Sequence, residues 1–426
     1  MEKTDPCYQA YTQILHEELV PAMGCTEPIA LAYGAAKARS VLGGLPDRVE
    51  VLVSGNIIKN VKSVIVPNTG GLKGIGAAVA AGIVAGDETR QLQVLSRVTA
   101  EQKERIAAFL QGCPIDVKAT KSGPTFDIGL TLFKGSGYVR LRIVDYHTNI
   151  VLVEKDGAIL KKDELQDKDT DSGLTDRSCL NVKKILDYAA TVELDCVRDI
   201  LEEQIRYNMA ISKEGLTHNW GACIGRVLLQ SRDDSLNIRC RAAAAAGSDA
   251  RMSGCEMPVV ICSGSGNQGI AASVPVIVYA ENKSHTHEET LRALVVSNLI
   301  TIHQKSSIGR LSAFCGAVSA GCGAGAAIAW LETGDYDAVA HTLVNALAIV
   351  SGIICDGAKS SCAAKISTAV EAGLLGFEMY RNEKQFVNGD GIVANNVENT
   401  IRNVGRVGRD GMRETDQVIL RIMTGR

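Results

Sequence analysis

Aromatic residues are scarce, at 4% of the chain, and histidines number only seven in 426 residues. A chain so poor in rings fills its core with small and aliphatic side chains, and its 42 glycines let backbone segments approach closely. Neither sign of charge predominates. With 45 Lys and Arg against 48 Asp and Glu, the net charge of −3 leaves no electrostatic footprint for nucleic acid. Long apolar runs are lacking too. No window of 18 residues reads as a membrane span, and GCGAGAAIAWL is short, with glycines that suit a tight helix contact. The opening MEKTDPCYQAYTQIL lacks the basic segment, apolar stretch and small-residue cleavage site of a secretory signal, so a cytoplasmic location is expected. The G-x4-G-K-[ST] phosphate loop is missing, which leaves kinase or ATPase chemistry without support.

What is there reads as an α+β protein. The chain is 46% hydrophobic and 22% charged, a composition that folds, and its length favours two domains. Residues 8–42 read as two helices with a break at VPAMGCTEP, Pro28 suiting a helix's first turn. VEVLVSGNIIKNVKSVIV reads as strand material with a turn, LQVLSRVT as a strand, and AEQKERIAAFLQG as an amphipathic helix. PIDVKAT, FDIGLTLF, YVRLRIVD and NIVLVEKDG read as short strands, with GSG as a hairpin turn. LKKDELQDKDTDSGLTDRS (160–178) is charged, poor in apolar residues and the best linker. From 180 onward helical periodicity dominates. The expectation is N-terminal helices plus a small α/β unit over 1–160, and a mainly helical C-terminal domain over 178–426.

The thirteen cysteines are an odd number in a chain expected to meet reducing conditions, so thiols, metal ligands or catalytic groups are expected and a disulfide framework is not. Most read as small buried hydrophobes: Cys113, Cys179, Cys223, Cys240 and Cys196, the last on the apolar face of a helix. Cys315 in SAFCGAV, with Cys355 and Cys362 in CDGAKSSC, differ in having Gly, Ser and Ala neighbours that leave room for an inorganic group. Three thiols with one distant member resemble the ligand set of a [4Fe–4S] cluster with an open iron. Zinc favours tighter pairs or added histidines. The spacing is loose, however, and Cys255…Cys262 repeats it elsewhere. Cys25 in PAMGCTEP stands just before a helix, where the helix dipole lowers a thiol's pKa. It can be a base, a nucleophile, a fourth ligand or merely a gap filler.

Two Gly-rich loops precede small-residue helices. SGSGNQG (263–269) places backbone N–H groups where an anion can sit. Its G-x-G-x-x-G match is discounted, because Pro275 falls early in the next helix and no βαβ unit follows. NTGGLKG (68–74) is similar, and Lys73 can attract a carboxylate. His285 and His287 lie in a polar turn and read as surface residues.

Taken in order, PAMGCTEP, SGNIIKNVKSVIVPNTGGLKGIGAA, SGSGNQGI and CDGAKSSCAAK resemble the L-cysteine desulfidase family, relatives of the bacterial iron–sulfur L-serine dehydratases. The resemblance runs from about Cys25 to Gly373. It implies a [4Fe–4S] cluster on Cys315, Cys355 and Cys362 in the helical C-terminal domain, with Cys322 a rival to Cys315. It implies Cys25 near the open iron as base or exchangeable ligand, and β-elimination of sulfide from L-cysteine to give pyruvate and ammonia. Asn68, Thr69, Gly70, Gly71, Lys73, Asn267 and Gln268 are the expected substrate anchors. The expected partner is a small-molecule amino-acid substrate, with no nucleic acid or membrane, and a homo-oligomer is allowed. L-serine dehydration on the same site is the nearest alternative. A non-catalytic thiol redox or metal-binding regulator and a nucleotide-binding module stand further off.

Overall fold

Alternating apolar residues build the sheet that dominates the N-terminal part of the chain. The computed structural model describes residues 1–120, 122–163, 174–230, 234–309 and 311–425. Helix α1 (Pro6–Glu18) leads into a short strand, β1 (Pro21–Met23), and then helix α2 (Thr26–Leu42). Strand β2 (Arg48–Val53) is followed by helices α3 (Gly55–Val61), α4 (Gly74–Ala85) and α5 (Ala100–Gly112), and by strand β3 (Ile115–Ala119), which lies parallel to it. Strands β4 (Asp127–Lys134), β5 (Gly137–Val144), β6 (Ile150–Lys155) and β7 (Ala158–Lys162) follow as an antiparallel run. The six-stranded order is β3-β2-β4-β5-β6-β7. Ile128, Leu130 and Leu132 of β4 and Val139, Leu141 and Ile143 of β5 point to one buried face, as period-two patterning requires. Helix α2 lies on that face, and α4 lies against α2 so closely that a Cβ at Gly82 would stand 2.1 Å from the Ala32 carbonyl oxygen.

Two segments differ from the sequence reading. SGNIIKNVK is the helix α3, not a strand: Ser54 caps it by accepting from the Ile57 N–H at 3.4 Å, and Ile57 and Val61 share its buried side at helical spacing. LQVLSRVT forms no strand. A 3₁₀ turn over Glu88–Gln93, capped by Asp87, brings Leu92, Val94 and Leu95 into the core one after another. Both misreadings took a short run of apolar residues for period two.

Beyond residue 173, among the described residues, helices make up the regular structure apart from the short strand β8 (Pro258–Val260). Helices α6 (Val182–Thr191), α7 (Arg198–Thr217), α8 (Ile224–Leu229) and α9 (Leu236–Met252) precede β8. After it come α10 (Gly266–Asn282), α11 (His287–Ile308), α12 (Gly316–Thr333), α13 (Tyr336–Val350), α14 (Cys362–Arg381), α15 (Val397–Arg406) and α16 (Arg413–Thr424). The glycines of GCGAGAAIAWL serve the tight packing their sequence suggests: a Cβ at Gly325 would meet the Gly373 Cα of α14 at 2.4 Å. Cys196 departs from expectation. It lies in a 3₁₀ turn before α7 and is exposed.

The fold is thus α+β, with a six-stranded sheet in the N-terminal part and a mainly helical C-terminal part. The first 25 residues join the helical part. Strand β1 pairs antiparallel with β8, and the Tyr11 hydroxyl donates to the Cys179 carbonyl at 2.7 Å. One hydrophobic core runs from Tyr8 through the sheet to Val404. Most of the linker reading over 160–178 falls on residues 164–173, outside the described residues. Among the described residues, no helix is long and apolar enough to cross a membrane.

Candidate functional site

Four helix N-termini point into one cavity. The β1–β8 pairing sets Cys25, the N-cap of α2, beside the Ser263–Ser265 loop that opens α10, and the Thr26 hydroxyl donates to the Gly264 carbonyl at 2.9 Å. Cys315 is the N-cap of α12, and Cys362 is the first residue of α14. Cys355 is brought beside Cys315 by a short antiparallel bridge: the Cys315 N–H donates to the Ile353 carbonyl at 3.1 Å and the Cys355 N–H to the Ala313 carbonyl at 2.6 Å. Aligned peptide dipoles make such a convergence of N-termini favourable for negative charge.

The cavity encloses about 110 Å³, and Cys25, Cys315, Cys355 and Cys362 all line it. All four are free thiols. Cys322, the rival ligand, is buried within α12, and Cys255 and Cys262 are buried in the core; none of the three lines the cavity. The loop between Cys355 and Cys362 is stiffened by Asp356. Its carboxylate pairs with Lys359 and with Lys365 Nζ at 2.5 Å, and these hydrogen bonds overcome burial to hold it low, at about 2.

Burial governs the thiols. It pushes Cys25 up to about 11, against the pull of Arg251, so burial opposes the lowering expected from the helix start. Burial pushes Cys315 up to about 12, with neighbouring Cys355 adding to the effect, and raises Cys362 as well. Without metal these sulfurs keep their protons. A coordinating metal removes them.

Polar side chains that sequence reading did not single out also line the wall, among them Arg251, Glu27, Asn60, His147 and Lys305. Arg251, 4% exposed, donates from Nε to the Gly24 carbonyl at 3.1 Å. Asn60 Nδ2 donates to Glu27 Oε1 at 3.0 Å. Glu27 and Asn60 lie inside the quoted motifs PAMGCTEP and SGNIIKNVKS. No local pattern marks Arg251, His147 or Lys305. Asn267 and Gln268, which the sequence did suggest, line the cavity from the first turn of α10. The side-chain oxygens of Asn60, Asn267 and Gln268 are buried with no hydrogen-bond partner.

The other expected anchors are not brought here. Asn68, Thr69, Gly70, Gly71 and Lys73 do not line the cavity. The Asn68 amide donates to the Leu95 carbonyl at 2.7 Å, tying the loop to the segment after the 3₁₀ turn, and the Thr69 hydroxyl donates to the Val66 carbonyl at 2.7 Å within the turn itself, so both polar groups are engaged by backbone. Gly70 and Gly71 have φ of 72° and 93°, the left-handed conformations the turn requires. Lys73 is the N-cap of α4, and its backbone bridges back to Ile65. This loop supports the Cys25 turn from behind: a Cβ at Gly24 would meet Pro67 Cγ at 2.8 Å.

Among the described residues, no three His, Cys, Asp or Glu side chains stand close enough to share one metal ion. A cluster asks for something else, since each of its thiolates binds a different iron and they stand a cluster's width apart. The donor set fits such a group. It is sulfur only, unlike the oxygen sets of Mg²⁺ or Ca²⁺, and the adjoining residues Gly316, Ala317, Gly357 and Ala358 are small.

Comparison with known proteins agrees in outline. A family model described as serine dehydratase alpha chain matches residues 89–421, a span that contains Cys315, Cys355 and Cys362 but not Cys25. A UPF0597 protein of Desulfitobacterium hafniense is 57% identical over 426 residues, covering 99% of this chain and 98% of its own. UPF0597 proteins of Finegoldia magna and Treponema denticola are 48% and 46% identical, over 97% and 98% of this chain and 99% and 98% of their own.

Proposed function

The chain belongs to the serine dehydratase alpha-chain family, and from that premise we propose that it is an iron–sulfur lyase that eliminates the Cβ substituent of a small L-amino acid. The substrate proposed is L-cysteine: with one water it yields pyruvate, ammonia and hydrogen sulfide. The observation that carries the reading is the meeting of Cys25, Cys315, Cys355 and Cys362 in one small cavity.

Cys315, Cys355 and Cys362 are the residues that would hold a [4Fe–4S] cluster. When bound, it supplies a Lewis acid at the iron that lacks a protein thiolate. The chain's own residues do the rest. A zwitterionic amino acid needs donors for its carboxylate and acceptors for its ammonium. Arg251, Lys305 and the N–H groups at the starts of α10 and α12 offer the donors. The partnerless oxygens of Asn60, Asn267 and Gln268, with the Glu27 carboxylate, offer the acceptors. Held at both ends, the substrate turns its Cα–H and Cβ substituent toward the sulfurs. Cys25 Sγ is the candidate to receive the Cα proton. Arg251 assists its ionisation and burial opposes it, so the thiolate, once formed, is a strong base. Proton loss from Cα and departure of HS⁻ from Cβ leave aminoacrylate, which tautomerises and hydrolyses.

L-serine is the second reading, favoured by the description of the matching family. Assays on anaerobically reconstituted protein separate the two. Sulfide and pyruvate from L-cysteine at the higher kcat/KM support desulfidation. Pyruvate from L-serine without sulfide from L-cysteine assigns the dehydratase, and product from neither overturns the lyase.

A further inference from the structure

Helix α3 serves two neighbours with consecutive residues. Asn60 lines the thiol cavity, while Lys59 lines a second cavity, of about 590 Å³, beside α16. The Lys59 side chain is 2% exposed, and its Nζ has two partners: the Asp416 carboxylate of α16, and the Cys355 carbonyl at 3.4 Å. The loop after Cys355 is pressed onto the same helix, since a Cβ at Gly357 would lie 2.4 Å from the Lys59 carbonyl oxygen. Helix α16 is seated on α3 by two more contacts: Lys62 Nζ donates to the Met423 carbonyl, and Leu420 fills the space over Gly55.

A buried ammonium loses its hydration, and a whole buried ion pair replaced by apolar side chains of similar volume often holds two elements together as well. Packing α16 onto α3 therefore does not call for a charge at residue 59. A donor aimed at the Cys355 carbonyl does. We propose that Lys59 is a positioning residue for the cluster: its ammonium, fixed by Asp416, holds the backbone of Cys355 and so the aim of the Cys355 sulfur. The final helix thereby acts on the cluster through one side chain, though neither Lys59 nor Asp416 lines the thiol cavity. This rests on the cluster reading proposed above. Partners that orient a ligand from outside the coordination sphere typically change metal affinity or activity by roughly 10–100-fold.

The test uses the full chain reconstituted anaerobically with iron and sulfide. It reads iron release to a chelator, the EPR spectrum after one-electron reduction with dithionite, and thermal melting of the cluster-free protein. Lys59→Met is expected to release iron roughly 10–100-fold faster with an altered spectrum. Lys59→Arg, which keeps a donor, is expected to release it at close to the wild-type rate. If Lys59→Met does not fold, Asp416→Asn decides, with faster release expected because the ammonium loses its fixing partner. A lowered melting temperature with unchanged release and spectrum overturns the inference and leaves a plain helix tether. A wild-type chain that takes up no iron overturns the proposed function, and this inference with it.

Discussion

Cys25 shows how much a single residue's meaning depends on burial. Its place at a helix start is legible in PAMGCTEP, and from that alone a low-pKa thiol follows. The structure encloses it, and desolvation carries it to about 11. Cys25→Ala is expected to keep most of the bound iron and lose turnover, which iron analysis beside a pyruvate assay will show. Arg251 was not legible, because nothing in DARMSGC marks an arginine that reaches the Gly24 carbonyl from another element. Charged hydrogen bonds contribute about 1.5–3 kcal/mol. Arg251→Gln is therefore expected to raise KM for the amino acid by roughly 10–100-fold and, because Arg251 assists ionisation of Cys25, to lower kcat as well. The loop Asn68–Lys73 resembled an anchor because Gly-rich loops before helices look alike in sequence. Whether their polar groups face a cavity or nearby backbone is decided in three dimensions.

At the scale of elements, long periodic stretches were the readable ones. AEQKERIAAFLQG and the strands around the GSG hairpin formed where their patterns placed them: the strands bury one continuous face, and the helix packs Ile106 into the core with Phe109 and Leu110 half-buried beside it. Short runs such as SGNIIKNVK were misread, since capping by Ser54 outweighs a few apolar residues. That α12 makes a tight helix contact was legible from its glycines; its partner, α14, was not, and the contact is strict. Gly325→Val places two methyls where Gly373 leaves no room and is expected to destabilise the fold by about 1–3 kcal/mol or more, read by chemical denaturation. Asp249, at the end of α9, accepts from the Gly225 N–H at 3.1 Å, yet burial pushes its carboxyl up to about 6 from the usual 3.8. The folded state thus holds this proton more tightly than the unfolded chain. Above pH 6 the group opposes folding, and the penalty is relieved as pH falls from about 6 toward 4. Asp249→Asn is expected to flatten the stability profile over that window and to raise stability at pH 7 by about 1–3 kcal/mol. Parallel pH profiles for the two proteins would contradict this.

The molecule as a whole brings together residues that the chain keeps far apart. Cys25 arrives through β1, Cys315 and Cys355 through a bridge between loops, Cys362 through α14, and the polar wall through α3, α9, α10 and α11. Composition and motif order made the class of fold and the candidate thiols readable. The closing of the cavity between parts hundreds of residues apart was not readable, because no local pattern encodes it. The most direct measurement is the iron and acid-labile sulfide bound per chain after anaerobic reconstitution, for the wild type and for Cys315→Ala, Cys355→Ala and Cys362→Ala. The account predicts about four of each in the wild type and a brown colour lost in every variant. A colourless wild type, or iron and sulfide retained in full by all three variants, would contradict it.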